Sequence, residues 1–374
     1  CWANISMRKC EVDGMKSIKK RMAGRRDSLI SFGIVILAYI VIQIMISTGN
    51  ISSSLKGQLV PICAYIVMAV SLNLTVGFLG ELSLGHAGFM SVGAFTGIVV
   101  TTSLAQAIPS APLRLAIAMI IGGIFAAVAG VIVGVPVLRL KGDYLAIVTL
   151  AFGEIIKNII NVLYIGMDGN GLHFSLLEQR FALEDGGKMI INGPMGVSGV
   201  TKISSFTSGI ILILITLFLI LNLVHSRTGR AVMSVRDNRI AAESIGISAT
   251  RYRLLAFVIS AAFAGMAGTL YAMNFSTVTA NKFDFNTSIL VLVFVVLGGL
   301  GNIWGSIIAA ALLTVLPELL RGLNDYRMLI YAILLIVMMI FNNSGLKTHL
   351  LEKRAARRAG DPQKKTELSD KEEV

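Results

Sequence analysis

Charged residues are scarce in this sequence: Asp, Glu, Lys and Arg make up 14% of its 374 residues, against 55% hydrophobic. A soluble domain of that length needs a far more polar surface. Histidine is almost as sparse. The four present (His86, His173, His225 and His349) stand apart from one another. A lone His is more often a satisfied core residue than a ligand, and no H-E-x-x-H or Cys/His cluster points to a metal. The three cysteines, Cys1, Cys10 and Cys63, show no disulfide or metal spacing. Cys63 lies in an apolar run and reads as a small packing residue. A nucleotide-binding loop is missing too. The nearest string, GGK at 186–188, has neither the upstream Gly nor the following Ser or Thr that a phosphate cradle needs. The chain is therefore expected to be no enzyme and to bind no cofactor. Any ATP and Mg would be held by another polypeptide.

What the sequence does have is long apolar runs, such as 30–46, 290–297 and 328–341. Runs near 20 residues match the hydrocarbon thickness for a helix rising about 1.5 Å per residue. The fold expected is an all-α, polytopic transmembrane bundle of about ten spans. They lie roughly at 28–47, 58–77, 84–104, 114–137, 144–164, 207–224, 254–274, 286–300, 304–320 and 328–342. The Gly- and Ser-rich segment 84–104 is a candidate broken or re-entrant element.

Net charge is +12, and the excess sits at both ends and in one internal island. Nucleic acid is not needed to explain it, because Lys and Arg are retained on the cytoplasmic side of membranes. The division expected is a basic cytoplasmic tail (1–27), a transmembrane domain (28–342) and a charged cytoplasmic tail (343–374). Within the domain, 165–206 falls outside and 226–253 inside. The outer segment carries only Arg180, Lys188 and Lys202 as basic residues.

The island 226–253 holds six arginines between two apolar segments. Asp237 or Asn238 can cap a helix start, good helix formers follow in IAAESI, and Gly246 suits the left-handed residue after a helix end. A short helix exposing Arg236, Arg239 and Glu243 is predicted. An ordinary positive-inside loop has no need of a capped helix, so a docking element for a cytoplasmic partner is the reading favoured.

Inside the fifth span, Glu154 and Lys157 are three residues apart and share a helix face. Ionisable groups at that depth usually face protein or water. A structural ion pair and a polar lining of a pathway both remain open, with Asn158 and Asn161 extending the polar face. Glu81 and Glu318 sit near span ends and read as solvated. Small residues recur every four positions at Gly122, Ala126, Gly130 and Gly134, at Gly93 and Gly97, and at Gly301, Gly305 and Ala309. That spacing predicts close helix packing. The strings VGFLGELSLGHAG (76–88) and LGGLGNIWGSIIA (297–309) look alike and form a candidate internal repeat.

Three longer blocks carry a resemblance. LNLTVGFLGELSLGHAGFMSVGAF (72–95), LKGDYLAIVTLAFGEI (140–155) and RDNRIAAESIGISATRYRLLAFVISAAFAGMAGTLYA (236–272) resemble the LivM-type permeases of branched-chain amino acid ABC importers. Ala242-Glu243-x-x-Gly246 resembles the coupling loop of ABC importer permeases. The resemblance implies that Arg236, Asp237, Arg239, Ala242, Glu243 and Gly246 dock in an ATPase cleft. It also implies a LivH-like second permease, two cytoplasmic ATPases, an extracytoplasmic solute-binding protein and a place in a bacterial or archaeal cell membrane. This chain departs from the family pattern at Glu81, where Gln is commoner, and in the length of 165–206. An ABC permease for urea or another small polar solute, and an ion-coupled secondary carrier, stay open as alternatives.

Overall fold

The computed structural model describes residues 32–49, 52–140, 142–168, 171–177 and 187–320, with single positions between 326 and 336. The chain divides into two compact units, Cys1–Glu318 and Leu319–Val374. Of the second, the described positions include the exposed side chains Tyr326, Leu329, Ile333 and Ile336. All that follows concerns the first. The tails 1–27 and 343–374 lie outside the described residues.

Among the described residues of the first unit, nine helices run through apolar sequence: α1 (Phe32–Ser47), α2 (Ser53–Asn73), α3 (His86–Ser103), α4 (Ala111–Val137), α5 (Asp143–Asn161), α6 (Phe206–His225), α9 (Ala249–Ala272), α10 (Phe285–Gly298) and α11 (Ile303–Leu319). Two short helices, α7 (Arg227–Asp237) and α8 (Arg239–Ser244), fill the arginine island. Six segments among the described residues are long and apolar enough to cross a membrane: Ser53–Leu79, Ala111–Val137, Tyr144–Asn161, Phe206–His225, Ala249–Ala272 and Ala280–Gly298. Helices α1 and α11 are apolar but shorter, and the stretch 328–342 falls almost wholly outside the described residues. Six of the ten spans expected thus have a full-length candidate among the described residues. Helices α1 and α11 fall short in length, and α3, at 18 residues, is too rich in Gly, Ser and Thr.

Helices α2, α3, α4 and α9 form the centre of the unit. In the most apolar window of the α2 segment 94% of residues are buried, against 33% for α4 and α6, which fixes α2 as the interior helix. The small-residue stripes explain how closely these helices approach. A Cβ on Gly93 of α3 would stand 2.0 Å from the Gly265 carbonyl oxygen of α9, and Thr269 Oγ1 donates to the Gly93 carbonyl at 2.8 Å. With no hydrophobic drive between helices in lipid, such backbone contact and polar bonding is what holds them together. The far sides of α4 and α6 stay apolar and exposed, through Ile124, Phe125, Val128 and Ile132 and through Ile211, Ile215 and Phe218.

The all-α expectation fails between α5 and α6. β1 (Leu163–Asp168), β2 (Gly171–Leu176) and β3 (Lys188–Asn192) form an antiparallel sheet in the order β2-β1-β3. β4 (Val197–Ser198) pairs with β5 (Thr277–Val278), which ties this segment to the link between α9 and α10. The turn string Asp-Gly-Asn-Gly at 168–171 was the available signal, and a two-residue hairpin loop is what it specifies. The strands are too short to register against the surrounding helical periodicity.

The bundle has two ends. One carries the sheet. The other carries the arginines and gathers residues 77–85, 138–142, 226–253 and 298–302. Segment 84–104 is not broken internally, since α3 is continuous from His86. The interruption lies ahead of it. After Asn73 the chain makes a π-helical turn (Leu74–Leu79), reverses at Gly80 with φ +79°, and re-enters the bundle without helical structure as far as Gly85. Non-helical backbone survives at this depth only where protein groups take its polar atoms. Thr149 Oγ1 accepts from the Leu84 N–H at 3.0 Å, and Ser288 Oγ from the Ala87 N–H at 3.1 Å. His86 is buried and meets Ser71 Oγ through Nε2 at 2.9 Å, as a satisfied core histidine does.

Candidate functional site: an arginine-rich end and a polar seam

The arginine island folds as two helices at a sharp joint. Asn238 is the residue that caps α8, its Oδ1 accepting from the Ala241 N–H at 3.1 Å. Gly246 closes the helix with φ +85° and has nothing within 4 Å of an added Cβ, so its glycine is needed for backbone conformation alone. Ala242 is buried against Val235 and Ala249, and this small apolar contact pins α8 to α7 and α9. On the outer side, Arg239 Nε and Glu243 Oε1 pair at 3.0 Å. Two large apolar side chains of the island stand out into solvent. Ile240 is 81% and Ile245 74% solvent-accessible. Sequence reasoning passed over both in favour of the arginines. The signal was there, as two isoleucines flanking the only Ala-Ala-Glu run of a basic segment.

The arginines divide by direction. Arg239 stays on the surface. Arg236 turns toward the bundle, where Nη1 donates to the Gly77 carbonyl at 3.1 Å while Nε and Nη2 hold Asp237 Oδ1 at 3.0 Å. Arg253, at the start of α9, is buried. It pairs through Nε with Glu81 Oε1, and its Nη1 donates to the Leu138 carbonyl at 2.8 Å. Glu81 is therefore not the solvated end residue expected. It lies inside, across from an arginine far along the chain. Burial pushes its carboxyl above the usual carboxylate range, against the opposing pull of Arg253 and then of Arg239. Its second oxygen, Oε2, is buried without a hydrogen-bond partner. A cavity of about 620 Å³ opens here, lined by Glu81, Arg236, Asp237, Arg239, Ile240 and Arg253 among others.

The second candidate group lies apart from the first, on α5. Glu154 and Lys157 form an ion pair, and their side chains are 32% and 17% accessible. Glu154 borders a tight seam with Leu84 and Gly88 of the re-entrant arm and α3, Gly153, and Asp284 and Ser288 at the start of α10; it has no room for a water molecule. Asn161 Nδ2 reaches Asn281 Oδ1 at 3.3 Å, and Asn158 is exposed. Beside and between these polar residues α5 is apolar and open, through Ile147, Ile155 and Ile159. The structure thus gathers the island residues at one end and the α5 residues along an edge of the bundle. It does not join them into one site. Among the described residues no group of three or more His, Cys, Asp or Glu could hold a metal ion.

The family model described as branched-chain amino acid transport system / permease component matches residues 54–341. The high-affinity branched-chain amino acid transport permease LivM of Escherichia coli is 36% identical over 347 residues, covering 90% of this chain and 79% of the relative. Its Salmonella typhimurium counterpart is also 36% identical, over 349 residues with the same coverage. The permease LivH of Salmonella typhimurium is 22% identical over 289 residues, 75% of this chain and 90% of LivH. No solved structure matches the chain.

Proposed function

This chain belongs to the branched-chain amino acid transport permease family, and from that premise we propose that it is a membrane-spanning subunit of an ATP-driven importer that moves branched-chain, aliphatic amino acids into the cytoplasm. The observation that carries the reading is α8. It is a capped helix on a basic end, with two isoleucines held out into solvent. Apolar side chains held out among charged ones support a contact surface here, and the arginines around them favour the cytoplasmic side for it. The arginine end then faces inward with both termini, and the sheet faces out. The partner is an ATPase whose cleft receives Ile240 and Ile245, with Arg239 and Glu243 at the rim.

Likeness to both LivM and LivH supports pairing with a second, homologous permease. So does α5. A polar strip at the edge of a bundle is costly against lipid. Facing a second permease, the same strip lines a shared pathway, and Glu154, Lys157, Asn158 and Asn161 are the residues we assign to it. Two ATPases and an extracytoplasmic binding protein complete the assembly. ATP closes the ATPase pair and α8 moves with it. The free energy enters because α8 interacts differently with the two states.

The test is co-purification and ATP hydrolysis in the reconstituted complex, with and without solute-loaded binding protein. Ile240→Glu places a charge in the cleft, and the ATPase no longer co-purifies. Gly246→Val forces a β-branched residue into a left-handed conformation, at a cost of about 1–2 kcal/mol or more. It leaves the bundle folded while stimulation by the binding protein falls. An Ile240→Glu permease that keeps its ATPase, or wild-type stimulation in Gly246→Val, overturns the docking reading.

A further inference from the structure

The two glycine-rich breaks, 1 in the link from α2 to α3 and the other between α10 and α11, lie against each other at the cytoplasmic end. Asn73 joins them. It is fully buried, its Oδ1 accepts from the Gly301 N–H at 2.9 Å, and its Nδ2 donates to Ser306 Oγ at 3.0 Å. Gly77 closes over this bond so tightly that a Cβ there would stand 2.3 Å from the Gly301 nitrogen. The Gly77 carbonyl belongs to the last turn of a π-helical segment, where helical N–H donors run out. Its partner comes from outside the membrane bundle, in the guanidinium of Arg236 at 3.1 Å. The stem of Arg236 also covers Gly80, whose added Cβ would meet Arg236 Cγ at 2.7 Å. Arg236 is one residue from Asp237, which it grips, and two from Asn238, which caps α8.

We propose that Arg236 is the positioning residue that transmits movement of α8 to the paired Gly77–Gly301 break, so that the break and the re-entrant arm behind it follow the ATPase. The inference rests on the docking reading of α8 given above. Its physical basis is threefold. The arm from Gly80 to Gly85 has no helix of its own to hold it. A π turn is one hydrogen-bond step from α-helical register and is often found where a helix must adjust. And the island grips the turn and the arm through two arginines, Arg236 at Gly77 and Gly80, and Arg253 at Glu81. Arg236 lies in the last turn of α7, at the joint with α8, and Arg253 lies in α9, which continues into the bundle, so displacing α8 and the end of α7 against α9 strains the arm between them.

The experiment uses the complete reconstituted transporter. Cys1 and Cys10 are replaced by Ser, and an environment-sensitive fluorophore is attached to Leu82→Cys on the half-open arm. In the otherwise unaltered protein, ATP with vanadate shifts the emission of the probe. Arg236→Ala removes the donor and Gly80→Ala pushes the same side chain away from the bundle side. Both are expected to keep bound ATPase, to lose the emission shift and to lower the stimulation by binding protein about tenfold. Arg236→Lys keeps a donor within reach and recovers part of both signals. An unaltered shift and stimulation in Arg236→Ala overturns the proposal. So does loss of the ATPase itself in Arg236→Ala but not in Gly80→Ala, which makes Arg236 a docking residue. Failure of the docking reading shows up separately, as an Ile240→Glu permease with its ATPase still bound.

Discussion

Two ion pairs in this chain look alike as chemistry and differ in how they are held. Glu81 and Arg253 are 172 residues apart, and Arg253 is 5% accessible. The guanidinium also serves the carbonyls of Leu138 and Leu140, so one side chain binds the re-entrant arm, the end of α4 and the loop before α5 to the start of α9. Glu154 and Lys157 are neighbours on one helix and remain partly accessible at the edge of the bundle. The first pair is a tertiary joint. The second is a feature of one helix at the edge of the bundle. Removing a residue from the first unlinks segments of the fold, whereas removing one from the second changes the face that α5 presents.

The largest effect is expected at Arg253. Arg253→Ala leaves a buried carboxylate and two carbonyls without their donor. Breaking a buried pair from one side costs about 3–5 kcal/mol. The permease should melt well below wild type in detergent and accumulate poorly in membranes. Replacing both partners at once with apolar side chains, as in Glu81→Leu with Arg253→Met, should cost less than Arg253→Ala alone. If the single variant melts like wild type, the joint described here does not hold the arginine end together.

This contrast also separates what could be read from the sequence from what could not. Glu154 and Lys157 were legible because helical spacing alone puts them together. The α8 helix was legible for the same reason, since Asn238, the Ala-Ala run and Gly246 act within one short stretch of chain, 238–246. The stripe on α4 was legible because a period of four is a property of one helix. Arg253 sat in the same basic island yet drew no role, and Glu81 was taken for a solvated end residue. Their meeting depends on where α2, α4 and α9 end relative to one another, which no local pattern encodes. Arg236 falls between these cases. Its presence in the island was plain, but its turn toward Gly77 follows from the π-helical segment, and nothing in LTVGFL announces one. The sheet was missed because its strands are 5–6 residues long and lie between strong helical signals.

An intermediate effect is expected on α5. Glu154→Ala strands the more deeply buried of the two charges, the Lys157 ammonium, and should lower transport or assembly by about 1–2 kcal/mol. Lys157→Ala leaves the more accessible carboxylate, which water or the second permease can solvate, and should cost less. Uptake of labelled solute by cells matched for permease content ranks the two. Normal uptake in both single variants and in the double variant would show that the pair faces an undemanding environment, and α5 would lose its place in the pathway. A joint loss confined to complexes with the second permease would strengthen it.

The smallest effect is expected at the other half of the buried joint. Glu81→Gln keeps the shape and an acceptor for Arg253 and removes a charge that burial disfavours, so stability should change by no more than about 1 kcal/mol. The sign of the pH dependence sharpens the test. Burial raises the carboxyl's affinity for its proton in the folded state above that in the unfolded state. The folded protein then binds more protons through the window between the usual carboxylate range and the raised value. Stability contributed by this group rises as pH falls through that window and is lost as pH rises through it. Wild type should gain on Glu81→Gln when the pH is lowered from neutral, in melting curves recorded side by side in the same detergent. Parallel curves would mean that Glu81 ionises in the fold as it does in water. In that case Arg253 offsets burial, whereas wild type losing on Glu81→Gln as the pH is lowered would mean that Arg253 outweighs it, that the joint is a conventional ion pair, and that Glu81→Gln is nearly as damaging as the loss of the arginine.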